Sequence, residues 1–153
     1  MTRAAELLLA LAVSCGATEA GAQVTTLRGL TFGTVTSGTT TSVLKTSVSA
    51  AQWRITGTFL VLVGGNFQLT LPTTLTGPGP AFPITFSTTA GQRNTANNPN
   101  AGSSFNPHAP QNINGGLSSQ TIYVWLGGSV APPLNQAPGA YSATVVLTVT
   151  GML

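Results

Sequence analysis

His108 and Lys45 are the side chains of this 153-residue chain best suited to moving protons, and neither has the company that such chemistry needs. His108 lies in Asn106-Pro107-His108-Ala109-Pro110, where it could act as a base or a ligand. A solvated loop histidine is the simpler reading. Lys45 could in principle activate a nearby Ser or Thr, but it falls on the polar face of an alternating segment and reads as an exposed lysine. The carboxylates are Glu6 and Glu19, and the one thiol is Cys15. From Gln23 onward there is no Asp, Glu or Cys at all. Paired-acid glycoside hydrolysis then has no acids, and a Ser-His-Asp triad has no third member. Calcium lacks its oxygen-rich carboxylates and zinc is offered a single imidazole. No enzyme activity, cofactor or metal is expected.

The acids and the thiol share one segment with its own logic. Arg3, the apolar run Leu7-Leu8-Leu9-Ala10-Leu11-Ala12-Val13 and the small residues Ala20-Gly21-Ala22 form the three parts of a secretory signal, with cleavage expected before Gln23. Cys15 admits a second reading, a lipoprotein box at Ala12-Val13-Ser14-Cys15, but Ala12 is smaller than such a box wants. The apolar run is short of the roughly 20 residues that span a bilayer, and no later segment reaches that length. The expected product is exported to the periplasm, cell surface or medium, without a transmembrane segment.

After cleavage the charged residues are Arg28, Lys45, Arg54 and Arg93. The calculated basicity therefore reflects missing acids, and four scattered cations make no nucleic-acid footprint. The whole sequence has 25 Thr, and from Gln23 onward Thr, Ser, Asn and Gln take over the surface and suit half-exposed strands.

These residues are to be positioned by strands, since no long stretch after residue 22 has helical periodicity. Leu30 and Phe32 share a face. Leu44, Thr46, Val48 and Ala50 alternate with Lys45, Ser47 and Ser49, and Trp53, Ile55, Gly57 and Phe59 alternate with Gln52, Arg54, Thr56 and Thr58. Gly64-Gly65 marks a turn; Phe67, Leu69 and Leu71 follow on one face until Pro72. Phe82, Ile84 and Phe86 form another face. Thr121-Ile122-Tyr123-Val124-Trp125-Leu126 is apolar on both faces and reads as central. Gly127-Gly128 reads as a turn, lacking the spacing of a phosphate loop. In the final strand Tyr141, Ala143, Val145, Leu147 and Val149 face one way. Residues 90–119, with seven Asn and three Pro, read as a long loop. Trp53, Tyr123, Trp125 and Tyr141 could form a sugar-stacking platform, but their strand patterns favour packing. The expectation for residues 23–153 is one all-β domain, an immunoglobulin-like Greek-key β-sandwich of about seven strands.

Leu30-Thr31-Phe32-Gly33, then Ile55-Thr56-Gly57 with Phe67-Gln68-Leu69-Thr70-Leu71-Pro72, then Gly127-Gly128, and last Pro138-Gly139-Ala140-Tyr141-Ser142-Ala143-Thr144 occur in that order. As an ordered set they resemble the bacterial family catalogued as domain of unknown function 4402, itself similar to pilin and spore-coat-U-like subunits. The resemblance implies an incomplete sandwich completed by a neighbour's strand, which is β-augmentation. It makes Leu30, Phe32, Tyr141, Ala143, Val145, Leu147 and Val149 the candidate groove or subunit interface, and other surface subunits or a periplasmic chaperone the candidate partners. The leader departs from that pattern: only Gln23-Val24-Thr25-Thr26-Leu27-Arg28-Gly29 precedes the first motif, with Val24 and Leu27 on opposite faces.

Two functions follow. One is an exported structural protein, pilin-like or coat-like, assembled by strand addition. The other is a secreted sandwich that recognises carbohydrate or another surface without polymerising.

Overall fold

Apolar alternation with a period of two leaves little choice but sheet, and the computed structural model of the chain, which describes residues 23–152, is all-β. The expected signal at 1–22 lies outside the described residues. Among those described, no helix is long and apolar enough to cross a membrane.

The strands are β1 Gln23–Arg28, β2 Thr41–Val43, β3 Ala51–Gly57, β4 Gly65–Thr70, β5 Thr74–Leu75, β6 Phe82–Thr85, β7 Gly91–Asn94, β8 Ser103–Phe105, β9 Gln111–Ile113, β10 Gln120–Leu126, β11 Gly128–Val130 and β12 Val146–Thr150. They form three antiparallel sheets, ordered β1-β3-β10-β7-β8, β2-β11-β6-β5 and β12-β4-β9. The count exceeds the expected number because several segments are only two to four residues long.

One face of the five-stranded sheet closes on the other two sheets in a sandwich over a common core. Trp53 and Ile55 of β3 and Val124 and Leu126 of β10 meet Phe67 and Leu69 of β4, Leu147 of β12, and Phe82 and Ile84 of β6. The strand expected to be central is central: β10 pairs with β3 on one side and β7 on the other.

Three expectations are corrected. The alternation over 44–50 is not a strand. β2 stops at Val43, and Ser47 and Ala50 donate back to Leu44 O and Ser47 O at 2.9 and 3.1 Å, which leaves Leu44 72% and Val48 82% exposed. Short hydroxyl side chains drive this: Ser47 Oγ accepts from the Ser49 N–H, closing a turn in place of a ladder. The final strand starts at Val146 rather than Tyr141. Residues 141–145 make no continuous strand and hold bridge positions at Ser142, paired with Thr76, and at Thr144, although Tyr141, Val145 and Leu147 still face inward.

The third correction is residues 90–119, which are not one loop. They supply β7, β8 and β9 and a single 3-10 turn at Pro99–Ala101. Asparagine explains the difference, because its side chain can replace the partners that a ladder would provide. Asn94, Asn98 and Asn106 each accept from the backbone N–H two residues on. The remainder of the segment folds back over the outer face of the five-stranded sheet. There Gln52 donates to Asn97 Oδ1 at 2.6 Å, Gln92 to Pro99 O at 2.8 Å and Asn94 to Asn98 O at 2.8 Å. Trp125 lies between Gln52 and Gln92 in the cross-strand register and is fully buried on that outer face.

Gly127 joins the two larger sheets, where the chain leaves β10 for β11. A Cβ there would lie 2.3 Å from Val43 O and 2.7 Å from Lys45 N, both backbone atoms. Gly127→Ala is therefore expected to cost about 1–3 kcal/mol through displacement of the end of β2, as measured by urea unfolding.

Candidate strand-addition site

A strand-addition site needs a sheet edge, an apolar surface behind it and a strand to fill it. The seven residues singled out for the groove all belong to the hydrophobic core or pack against it. Leu30 and Phe32 lie in the irregular segment between β1 and β2, and both are buried. Tyr141, Val145 and Leu147 are buried in the same cluster, and Ala143 and Val149 are half-buried against it. The alternation thus identified the inner wall of the sandwich, and these side chains are packed within it. Phe32 also borders a shallow surface depression with Thr31, Gly33 and Ser49.

Tyr141 has a second task. Its ring lies 5.0 Å from that of Phe82, while its hydroxyl donates to Ala137 O at 3.0 Å and accepts from the Gly79 N–H at 2.9 Å and Gln136 Nε2 at 2.6 Å. Gln136 Nε2 also donates to Pro80 O at 2.7 Å. One phenol oxygen thereby ties the Pro78-Gly79-Pro80 segment to the turn that launches the last strand.

The short leader lies where the sequence did not place it. Residues Gln23–Arg28 are β1, an end strand of the five-stranded sheet, paired antiparallel to β3 from Gln23 with Thr56 to Arg28 with Gln52. A register shift between Thr26 and Arg28 accommodates the mismatch of Val24 and Leu27. Val24 turns to the core, and Leu27 is 39% exposed. None of the six residues is fully buried, whereas Ala51, Gln52, Trp53, Ile55 and Gly57 of the facing strand all are.

The proton-transfer candidates are occupied as ties. His108 Nε2 donates to Phe86 O at 2.7 Å, pinning its loop to the end of β6. Lys45 Nζ donates to Thr89 O at 2.8 Å and to Ser104 Oγ, whose own hydroxyl donates to Gln92 Oε1 at 3.2 Å. Lysine is the donor to both oxygens. Of the proposed aromatic platform, Trp53 and Tyr141 are in the core and Trp125 is covered; Tyr123 alone is partly exposed.

Sequence reasoning missed two features. One is a cleft of about 280 Å³ between β7, β10 and β9, lined by Arg93, Asn94, Asn112, Asn114 and Gln120, in which Arg93 Nη1 donates to Asn112 O at 2.7 Å. The other is the outer face of β1, β3 and β10, where the register aligns Arg54 with Thr25 and Tyr123, and Arg28 with Gln52. The period-two spacing of Gln52 and Arg54, and of Tyr123 and Trp125, carried part of that signal; the alignment between strands did not exist until they paired. No protein-family model matches the chain, and no curated protein matches it.

Proposed function

We propose that this chain is an exported structural protein of the cell surface or periplasm, pilin-like or coat-like, that assembles by β-strand addition through its N-terminal strand. The observation that carries this reading is the asymmetry between β1 and β3: an end strand with no fully buried residue lies against a strand whose inner face is wholly buried. Lifting β1 breaks ladder hydrogen bonds and moves Val24, but it displaces little of the core. The bonds it leaves on β3 can be remade by β1 of a second copy.

Two further observations support the reading. Proteins usually guard sheet edges with charge. The six strands at the ends of the three sheets carry one charged residue between them, Arg28. The Tyr141 hydroxyl bonded to a carbonyl four residues upstream resembles the tyrosine corner of immunoglobulin-type sandwiches, which supports a Greek-key arrangement.

The test compares residues 23–153 with a variant in which Gln23→Cys and Thr56→Cys, facing positions of β1 and β3, are joined by a disulfide. Sedimentation is expected to show concentration-dependent assembly of the free chain and a monomer for the locked one. A chain that starts at Gly29 is expected to take up a labelled peptide of residues 23–28. Equal assembly of the locked and free chains would refute strand addition through β1.

A further inference from the structure

Four cations lie among the described residues, and two of them are tied into the fold. Lys45 is held by Thr89 O and Ser104, and Arg93 by Asn112 O. Arg28 and Arg54 are different. The Nε of each is buried without a hydrogen-bond partner. From residue 23 onward the chain has no Asp or Glu that could pair with either.

Both arginines stand on the outer face of the five-stranded sheet. Arg28 lies opposite Gln52, and Arg54, two residues along β3 from Gln52, lies opposite Thr25 on one side and Tyr123 on the other. Diagonal neighbours of this kind are roughly 7–8 Å apart, close enough for one anionic group to bridge two guanidinium heads. Tyr123 is half-buried, its ring stacks on that of Trp125 at 6.1 Å and 25°, and its backbone position pairs with Arg54. Thr56 and Thr121 continue the same face as a facing pair of β3 and β10.

We infer that this face binds an anionic polysaccharide whose repeating unit carries a carboxylate and hydroxyl groups, that is, a uronate polymer. Each part of the face matches one part of such a ligand. Arginine presents a planar fork of donors to a carboxylate. The Tyr123 ring offers an apolar surface to a sugar ring, and the threonine hydroxyls bond sugar hydroxyls. An extended sugar chain can lie along the paired strands β1, β3 and β10 without needing the apolar pockets that peptide side chains seek. Two cations are too few for a nucleic-acid backbone. This inference is independent of strand exchange, because both arginines are present in a monomer.

Calorimetry of residues 23–153 against polygalacturonate, neutral dextran and poly-L-glutamate tests it. Polygalacturonate is expected to bind, and neutral dextran to give no heat. Binding should weaken between 50 and 300 mM salt, because half-buried arginines are still partly screened by salt. Arg28→Gln and Arg54→Gln are each expected to weaken polygalacturonate about tenfold, the loss of one charge-assisted contact. Tyr123→Ala should weaken polygalacturonate and leave any poly-L-glutamate binding unchanged. Thermal melts of the variants are expected to stay close to the parent, which separates lost binding from lost fold. No binding of polygalacturonate, or binding indifferent to both arginine variants, overturns the assignment. So does poly-L-glutamate bound as tightly as polygalacturonate with no effect of Tyr123→Ala, which would make the partner an acidic protein.

Discussion

Removing a single oxygen atom, in Tyr141→Phe, is expected to lower the unfolding free energy by about 2–4 kcal/mol. The ring and its contact with Phe82 at 5.0 Å are unchanged, so the loss belongs to the hydroxyl. That oxygen meets the Gly79 N–H at 2.9 Å, Gln136 Nε2 at 2.6 Å and Ala137 O at 3.0 Å. Phenylalanine leaves all three groups without this partner, and Gln136 is itself buried with its Oε1 already unpartnered. Gln136, the buried one of the three, pays the larger desolvation penalty, and the half-buried Gly79 and Ala137 groups pay part of one. Urea unfolding of parent and variant measures the difference. Hydrogen exchange should locate the lost protection at the Gly79 amide. A change below about 0.5 kcal/mol would mean that the corner does not hold the 78–80 segment to the last strand.

Trp53→Ala is expected to cost about 3–5 kcal/mol, and Trp53→Phe much less. Trp53 is fully buried at the centre of β3, facing the core between β1 and β10. Alanine removes most of that volume from a packed interior, so the transfer and cavity penalties add. Phenylalanine loses part of the volume but also removes a liability. The indole Nε1 is buried with no hydrogen-bond partner, a penalty of about 1–3 kcal/mol that a benzene ring does not incur. Paired chemical denaturation of the two variants reads the difference directly. Both variants lack the N–H, so a Trp53→Phe loss as large as its lost volume alone would cost shows that the orphaned N–H carries no penalty.

Much of the architecture was legible because a period of two is a local property. The inward faces of β3, β4, β6 and the last strand follow from alternation alone, and the doubly apolar Thr121–Leu126 segment announced its central place. The misreadings have a common cause. Over 44–50 the alternation was formal, and serine hydroxyls closed turns that no periodicity encodes. In 90–119 the scarcity of large apolar residues suggested a loop, but side-chain amides supplied the bonds that let short strands form and cover Trp125.

By itself the sequence determined which side-chain groups residues 23–153 lack, because composition survives any folding: a segment without Asp, Glu or Cys has none in any arrangement. It also determined which side of each regular strand turns inward, since apolar surface leaves water wherever the strand lies. Tertiary structure alone decided what those faces meet. It laid residues 23–28 along β3 as an end strand of their own sheet. It put Arg28 and Arg54, 26 positions apart, beside Tyr123 on one face. Register is a relation between strands, set by which partners bury the most surface with their backbone bonds made, and no single segment contains it.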